Sequence, residues 1–239
     1  MRPSDEKTRD AMKNYVTQPH WSNFDDMWLS NYDDANYGSS LSALVLGRTH
    51  SLIEKDNRLE PRYPTVLEIG AGTMAHFNSV RHDFDRYIAS DGSPGVVEWL
   101  KQHEWDPRVE VLQVEGATLP FDDDSIDRLI ATHVLEHVND PVEALREWTR
   151  VLKPGGVLSL ILPCDPGVLW RLGRVLGPRK QGLKAGLPYD YYMAIEHRNP
   201  IHNLRHVVGF HFPERTEKWW PLGIASPDLN LIYGVNCYV

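Results

Sequence analysis

Val66-Leu67-Glu68-Ile69-Gly70-Ala71-Gly72-Thr73 is the stretch on which the fold turns. A short, mostly apolar run of strand length ends in paired glycines. That is the pattern of a buried strand turning sharply where its backbone approaches a ligand. Outward from it, strand-sized runs alternate with helical ones. Tyr87-Ile88-Ala89-Ser90 ends at Asp91 and reads as a second strand. Val96, Val97 and Leu100 mark the helix after it. Val109 to Val114 and Ile126 to Ala131 read as the third and fourth strands. Pro141 opens a helix carrying Val142, Leu145, Trp148 and Leu152, and Gly155-Gly156 closes it, the usual proline-start, glycine-stop asymmetry. Val157 to Leu162 is a fifth strand. Such alternation predicts an α/β fold with a mostly parallel sheet, covered on both faces.

The chain has 239 residues, two cysteines and a formal charge of −8. This length suits one large domain. The acidic balance counts against nucleic acid as a partner, because phosphate contacts need cationic surface. Cys164 and Cys237 cannot build a disulfide framework or a four-thiolate zinc site. A charged beginning without an apolar stretch behind it, and no membrane-length apolar window, lead to the expectation of a cytoplasmic protein.

Residues 1–60 read as an N-terminal helical arm, 61–163 as a cofactor-binding core, 164–206 as a substrate-side insertion and 207–239 as closing strands. In the arm, Trp21, Trp28, Tyr32 and Tyr37 are candidates to cover the cofactor or to pack in the core. Leu41, Leu44, Val45 and Leu52 form an apolar helical stripe at its end. Val207 to Phe212 and Leu229 to Val239 are expected to pair as a closing antiparallel hairpin.

Gly70, Gly72 and Ala75 fit the dinucleotide pattern G-x-G-x-x-A, with Asp91 at the distance of a ribose ligand. On these residues alone, an NAD-dependent oxidoreductase stands beside other nucleotide-cofactor readings. Four later segments separate them. Ser90-Asp91-Gly92-Ser93, Glu115-Gly116-Ala117-Thr118-Leu119-Pro120-Phe121, Thr132-His133-Val134-Leu135-Glu136-His137-Val138 and Arg150-Val151-Leu152-Lys153-Pro154-Gly155-Gly156 follow the glycine turn in order. Together, residues 65–162 resemble the class I S-adenosylmethionine-dependent methyltransferases. Met74 stands where that family often has a third glycine, and Glu115 and Gly116 stand where Asp and Ala are usual.

The resemblance implies a Rossmann-like, doubly wound, seven-stranded sheet with an inserted lid segment. It implies S-adenosylmethionine as methyl donor and S-adenosylhomocysteine as product. It assigns Glu68, Gly70, Ala71, Gly72, Asp91, Gly92, Ser93, Glu115, Gly116, Ala117, Thr132 and His133 to the cofactor. A carboxylate accepts two hydrogen bonds at once, which suits Asp91 to a ribose diol.

His133, Glu136 and His137 fall at helical spacing on one face. The trio can brace a helix, supply a base, or hold a divalent metal, as a similar acidic cluster does in the ubiquinone-pathway O-methyltransferases that this segment resembles. His137, with His133, is the candidate catalytic pair, and no metal is expected. Four histidines (His197, His202, His206 and His211) crowd the next region behind Tyr191. They suggest either a polar acceptor pocket, with Tyr191, His197 and His202 its lining, or bracing of a loop. The region resembles, loosely, methyltransferases of bacterial surface-glycan pathways.

Arg171, Arg174, Arg179, Lys180 and Lys184 form a run without an acid, interleaved with Trp170, Leu172, Val175 and Leu176. Residues 163–218 carry nine basic and five acidic residues, so a locally cationic insertion sits on an acidic body. An anionic small substrate or peripheral membrane contact fits this run, as does an ordinary solvated helix. The expected reaction is O-methylation of a sugar, glycan intermediate or other hydroxylated metabolite. N-methylation of a small amine is second, and a non-catalytic cofactor-binding subunit is the rival of a different class.

Overall fold

The computed structural model describes residues 48–115, 118–184 and 189–239. Its elements in chain order are α1 (Ser51–Glu54), β1 (Thr65–Ile69), β2 (Arg86–Asp91), α2 (Pro94–Lys101), β3 (Val109–Gln113), β4 (Ile126–Thr132), α3 (Pro141–Val151), β5 (Leu152–Pro163), α4 (Val168–Leu176), α5 (Pro178–Lys184), α6 (Tyr189–Glu196), α7 (Ile201–His211), β6 (Arg215–Trp220) and β7 (Ile232–Tyr238). The seven strands form one sheet in the order β3-β2-β1-β4-β5-β7-β6. Pairs among β1 to β5 are parallel, and β7 runs antiparallel to both β5 and β6. The order reverses beside β1, so the carboxyl ends of β1 and β4 border the crevice where ligands of such sheets bind.

Period-two alternation sorts the strand residues between two cores. Leu67, Ile69, Leu129 and Ala131 face a cluster with Leu145 and Trp148 of α3 and Leu204 and Val208 of α7. Val66, Tyr87, Ala89 and Ile130 face the other, with Ile53 of α1 and Val96 and Leu100 of α2. The helices start where their caps stand. The Ser93 hydroxyl accepts from Val96 N at 3.3 Å, and Asp140 Oδ1 accepts from Val142 N and Glu143 N at 2.9 and 3.1 Å. Cys164 and Cys237 are both free thiols and fully buried.

At the start of β5, Lys153-Pro154-Gly155-Gly156 has a packing reason for its last glycine. A Cβ on Gly156 would lie 2.8 Å from Lys153 O and 3.1 Å from Asp127 O. Lys153 Nζ in turn binds Asp127 at 2.8 Å, closing β4 onto β5.

Three expectations are corrected. The helix opened by Pro141 ends at Val151, so Leu152 and Gly155-Gly156 belong to β5 and do not close that helix. Val207 to Phe212 is not a strand, because α7 runs through to His211 and the edge strand is Arg215–Trp220. Ile201, Leu204 and Val208 recur at helical spacing, and burying that stripe outweighs the local β-branched run. His133 to His137 also lie on no helix; they form a turn between β4 and α3. Most of the expected N-terminal arm, including Trp21, Trp28, Tyr32 and Tyr37, lies outside the described residues, as do Gly116 and Ala117. No helix among the described residues is long and apolar enough to cross a membrane.

Candidate functional site

The glycine turn after β1 is built in left-handed backbone. Gly70, Gly72 and Met74 have φ of 65°, 54° and 61°. Gly70 has a second constraint, since a Cβ there would sit 2.5 Å from Val134 Cγ2. Met74 thus keeps the conformation of the glycine it replaces, a strain of roughly 1–3 kcal/mol. Its side chain is fully buried in the core, which offsets that cost.

Asp91, at the end of β2, is oriented by two backbone donors. Gly72 N donates to Oδ2 at 3.1 Å and Ser93 N to Oδ1 at 2.9 Å. Its carboxylate is thereby joined to the glycine turn. Ala71 N donates to Ser90 O at 2.9 Å and holds the turn against β2. Gly92 is half-buried beside Val114, and the Ser93 side chain serves as the α2 cap. Glu115 is exposed just past β3, and Thr132 is buried at the end of β4.

Glu68 is completely buried and accepts a 2.5 Å hydrogen bond from Tyr87 Oη. Burial pushes its carboxyl up to about 8, against the pull of that hydrogen bond. Its Oε1 has no partner among the described residues. An acid held partly neutral beneath the glycine turn fits a cationic ligand group, whose charge would draw the proton off. Asp91 and this orphaned oxygen are the features of the fold that suit S-adenosylmethionine, with its ribose diol and its ammonium.

His133 follows β4 with φ of 58°, and its N–H donates to Ile161 O at 2.8 Å. Its Nδ1 lies 3.5 Å from Glu136 Oε1. Burial works against the Glu136 charge, yet the His133 hydrogen bond and the neighbouring His137 hold it below the usual carboxylate range. His137 Nδ1 donates to Glu196 O at 2.9 Å, and burial pushes this imidazole down to about 4. His137 meets the His197 ring edge-on, with centroids 5.1 Å apart. His197 Nδ1 donates to Asp165 Oδ2 at 2.9 Å, and Trp170 stacks on the same ring at 6.3 Å.

The structure therefore joins His133, Glu136, His137 and His197 along the carboxyl edge of the sheet. It does not bring in the other expected histidines. His202 is exposed on the first turn of α7, and His206 is exposed one turn later. Tyr191 lies on α6, also exposed. Among the described residues, no group of three or more His, Cys, Asp or Glu could hold a metal ion.

Sequence reading missed Asp165, Trp170 as a stacking partner, and Asn199. Asn199 Nδ2 donates to Val138 O at 2.7 Å and Leu135 O at 3.2 Å, pinning the 133–138 turn. It also missed a buried chain behind the crevice. Arg128 lies 2.7 Å from Glu54 and its Nε donates to Ser159, although its terminal nitrogens lie off hydrogen-bond alignment. His76 Nε2 meets Glu54 Oε1 at 3.2 Å. His50 packs between His76 and His133, with ring centroids 5.4 and 6.5 Å away. A charged residue inside a strand, Arg128, was the available signal.

Residues 67–160 match the family model described as a methyltransferase domain. A demethylmenaquinone methyltransferase of Clavibacter sepedonicus is 36% identical over 92 residues, which cover 38% of each chain. A chloroplastic 2-methyl-6-phytyl-1,4-hydroquinone methyltransferase of Oryza sativa subsp. japonica is 32% identical over 119 residues, 47% of this chain and 36% of that one. The chain thus spans well under half the length of these curated relatives. Among solved structures, an S-adenosylmethionine-dependent methyltransferase of Thermotoga maritima superposes with a TM-score of 0.59 at 18% identity, over 91% of this chain and 99% of that one; at this identity the likeness speaks to fold. The strand order and these matches together identify residues 67–160 as a methyltransferase domain, built on the fold of the class I S-adenosylmethionine-dependent methyltransferases.

Proposed function

We propose that the protein methylates a small hydroxylated acceptor, with His197 as the base and Asp165 as the residue that orients it. The observation that carries this reading is the 2.9 Å Nδ1–Oδ2 hydrogen bond between them, just past the end of β5. S-adenosylmethionine supplies an electrophilic methyl on a sulfonium, so the chain's task is to position the acceptor and take its proton. With Nδ1–H committed to Asp165, the lone pair of His197 sits on Nε2. That nitrogen takes the hydroxyl proton as the oxygen attacks, and the Asp165 carboxylate stabilises the imidazolium. His133 and His137 line the same edge, and burial makes His137 a weak base. Asp91 and Glu68, with Gly70, Ala71 and Gly72, hold the ribose and methionine ends of the donor.

The cationic insertion supports an acceptor that is itself anionic. A ring-carbon acceptor is the second reading, favoured by the likeness to the demethylmenaquinone enzyme; a phenolic neighbour would still lose its proton to the same base. The test is calorimetry with S-adenosylhomocysteine and NADH, then tritiated-methyl transfer into fractionated cell extract. S-adenosylhomocysteine should bind and NADH should not, and label should appear in small molecules. Asp91→Ala should weaken S-adenosylhomocysteine about 100-fold, the worth of two charge-assisted hydrogen bonds. Tight NADH binding without S-adenosylhomocysteine binding would overturn the reading.

A further inference from the structure

The α4 helix is inside out. Val168, Leu172, Val175 and Leu176 recur at i, i+4, i+7 and i+8, the apolar stripe that a surface helix normally buries. Here the first three are each about half exposed, at 49, 54 and 51%, and Leu176 is 79% exposed. The opposite face is the one that packs. Trp170 stacks on His197, Arg174 lies over the Tyr189 ring at 6.0 Å, and Gly173 backs onto Leu231. Leu183 of α5 adds a fifth exposed apolar side chain to the same segment. Contiguous exposed apolar side chains of this kind mark interaction surfaces.

The charge around the stripe has one sign. Arg171, Lys180 and Lys184 are exposed, and residues 168–184 contain no acid. The nearby acids are already engaged: Asp190 binds Arg179 at 2.6 Å, and Asp228 accepts from Val168 N at 3.2 Å. We propose that the outer face of α4, with the exposed lysines of α5, docks on an anionic lipid bilayer. An apolar stripe flanked by cations matches an acyl boundary beneath anionic headgroups. A second copy fits less well. A two-fold contact sets one cationic patch against another, with Arg171, Lys180 and Lys184 of each copy facing a surface without acids.

Docking by the outer face leaves Trp170 and His197 on the inner side of the same helix, so the crevice opens beside the bilayer. A lipid-borne methyl acceptor follows from this only if the methyl-transfer reading holds; the docking itself does not need it. The test is therefore run without cofactor. The full chain is sedimented with vesicles of phosphatidylcholine alone, and of phosphatidylcholine with about one-third phosphatidylglycerol. It should partition onto the anionic vesicles only, and salt should weaken the binding. Leu172→Glu/Leu176→Glu should lower the partition coefficient at least about 10-fold. Lys180→Gln and Lys184→Gln should each lower it about 5-fold, the effect of one basic residue near an anionic surface. These side chains are exposed, so unchanged melting and S-adenosylhomocysteine binding would show that the variants are folded. Failure of the wild type to bind anionic vesicles, or equal binding by the leucine variants, would overturn the proposal. So would a lipid-free dimer that Leu176→Glu dissociates, which would make the stripe a contact between copies.

Discussion

His197 is held on three sides: by Asp165 at Nδ1, by the face of Trp170, and by the edge of His137. A ring so fixed loses little entropy on meeting an acceptor. His197→Gln should lower turnover at least about 100-fold while S-adenosylhomocysteine affinity stays unchanged, as for loss of a general base. Asp165→Asn should lower kcat more than it changes KM and should alter the pH profile, with partial rescue by Asp165→Glu. Equal turnover in His197→Gln, measured on the acceptor found by label transfer, would remove it as the base. The sequence offered His197 as one of four crowded histidines, but not its partner. Asp165 is 32 residues away, and the two meet only because the chain leaving β5 is covered by the α4–α6 insertion. His202 looked equivalent in sequence, yet helix α7 carries it to solvent. The positions of Asp91 and Gly70 were legible because they follow from chain geometry at strand ends, which spacing encodes.

At the scale of elements, Asn199 is one of several ties between the α4–α6 segment and the crevice, beside the His137–Glu196 and Ile201–Asp165 hydrogen bonds. Asn199 ties the 135–138 turn to the start of α7 through its side chain, and its backbone N–H donates to Glu136 O at 3.1 Å. Asn199→Ala should lose about 1–3 kcal/mol, because it leaves part-buried carbonyls without donors. Thermal melting should read that as a drop of roughly 2–4 °C per kcal/mol. Asn199→Asp should not restore it, since an ionised carboxylate donates nothing. The five parallel strands and α2 and α3 could be read from periodicity, since each carries a clear apolar rhythm and both helices have a capping residue, although the glycine stop read for α3 lies inside β5. The α7 segment could not, because Val207-Val208-Gly209-Phe210-His211-Phe212 shows strand-like residues locally. Its helical stripe begins earlier, at Ile201, and its burial against the sheet and α3 decides the matter. The His133–His137 spacing looked helical for a similar reason, though Asp140 and Pro141 set the true start of α3.

Across the whole molecule, one face of the sheet hides an unusual amount of ionisable chemistry. Glu54 is driven down to about 2: burial opposes its charge, but His76 and Arg128 more than compensate. Burial pushes His50 down to about 2 and His82 to about 4, and lowers His76 as well. A histidine kept neutral in the fold takes up protons more readily once unfolded. Its contribution is intact above about pH 6.5 and is lost as pH falls below that. Each such imidazole contributes a slope of ~1.4 kcal/mol per pH unit. Glu54 adds a loss in the same direction below its unfolded value of 4.5. Glu68, raised to about 8, works oppositely: it binds its proton in the fold, and this contribution fades as pH rises from 4.5 to 8. Three buried histidines outweigh one glutamate, so melting temperature should fall from pH 6.5 toward 4.5. A melting temperature that is flat or rising over that interval would contradict the assignment of neutral buried rings. The two cysteines bear on how all of this can be measured. Cys164 and Cys237 are buried, with burial pushing the Cys164 thiol up to about 12 and Cys237 higher still. At neutral pH almost no thiolate is available to an alkylating dye. A single cysteine placed at exposed Phe210 should then be the one site a maleimide label finds, giving a fluorescent or spin reporter in the otherwise native chain.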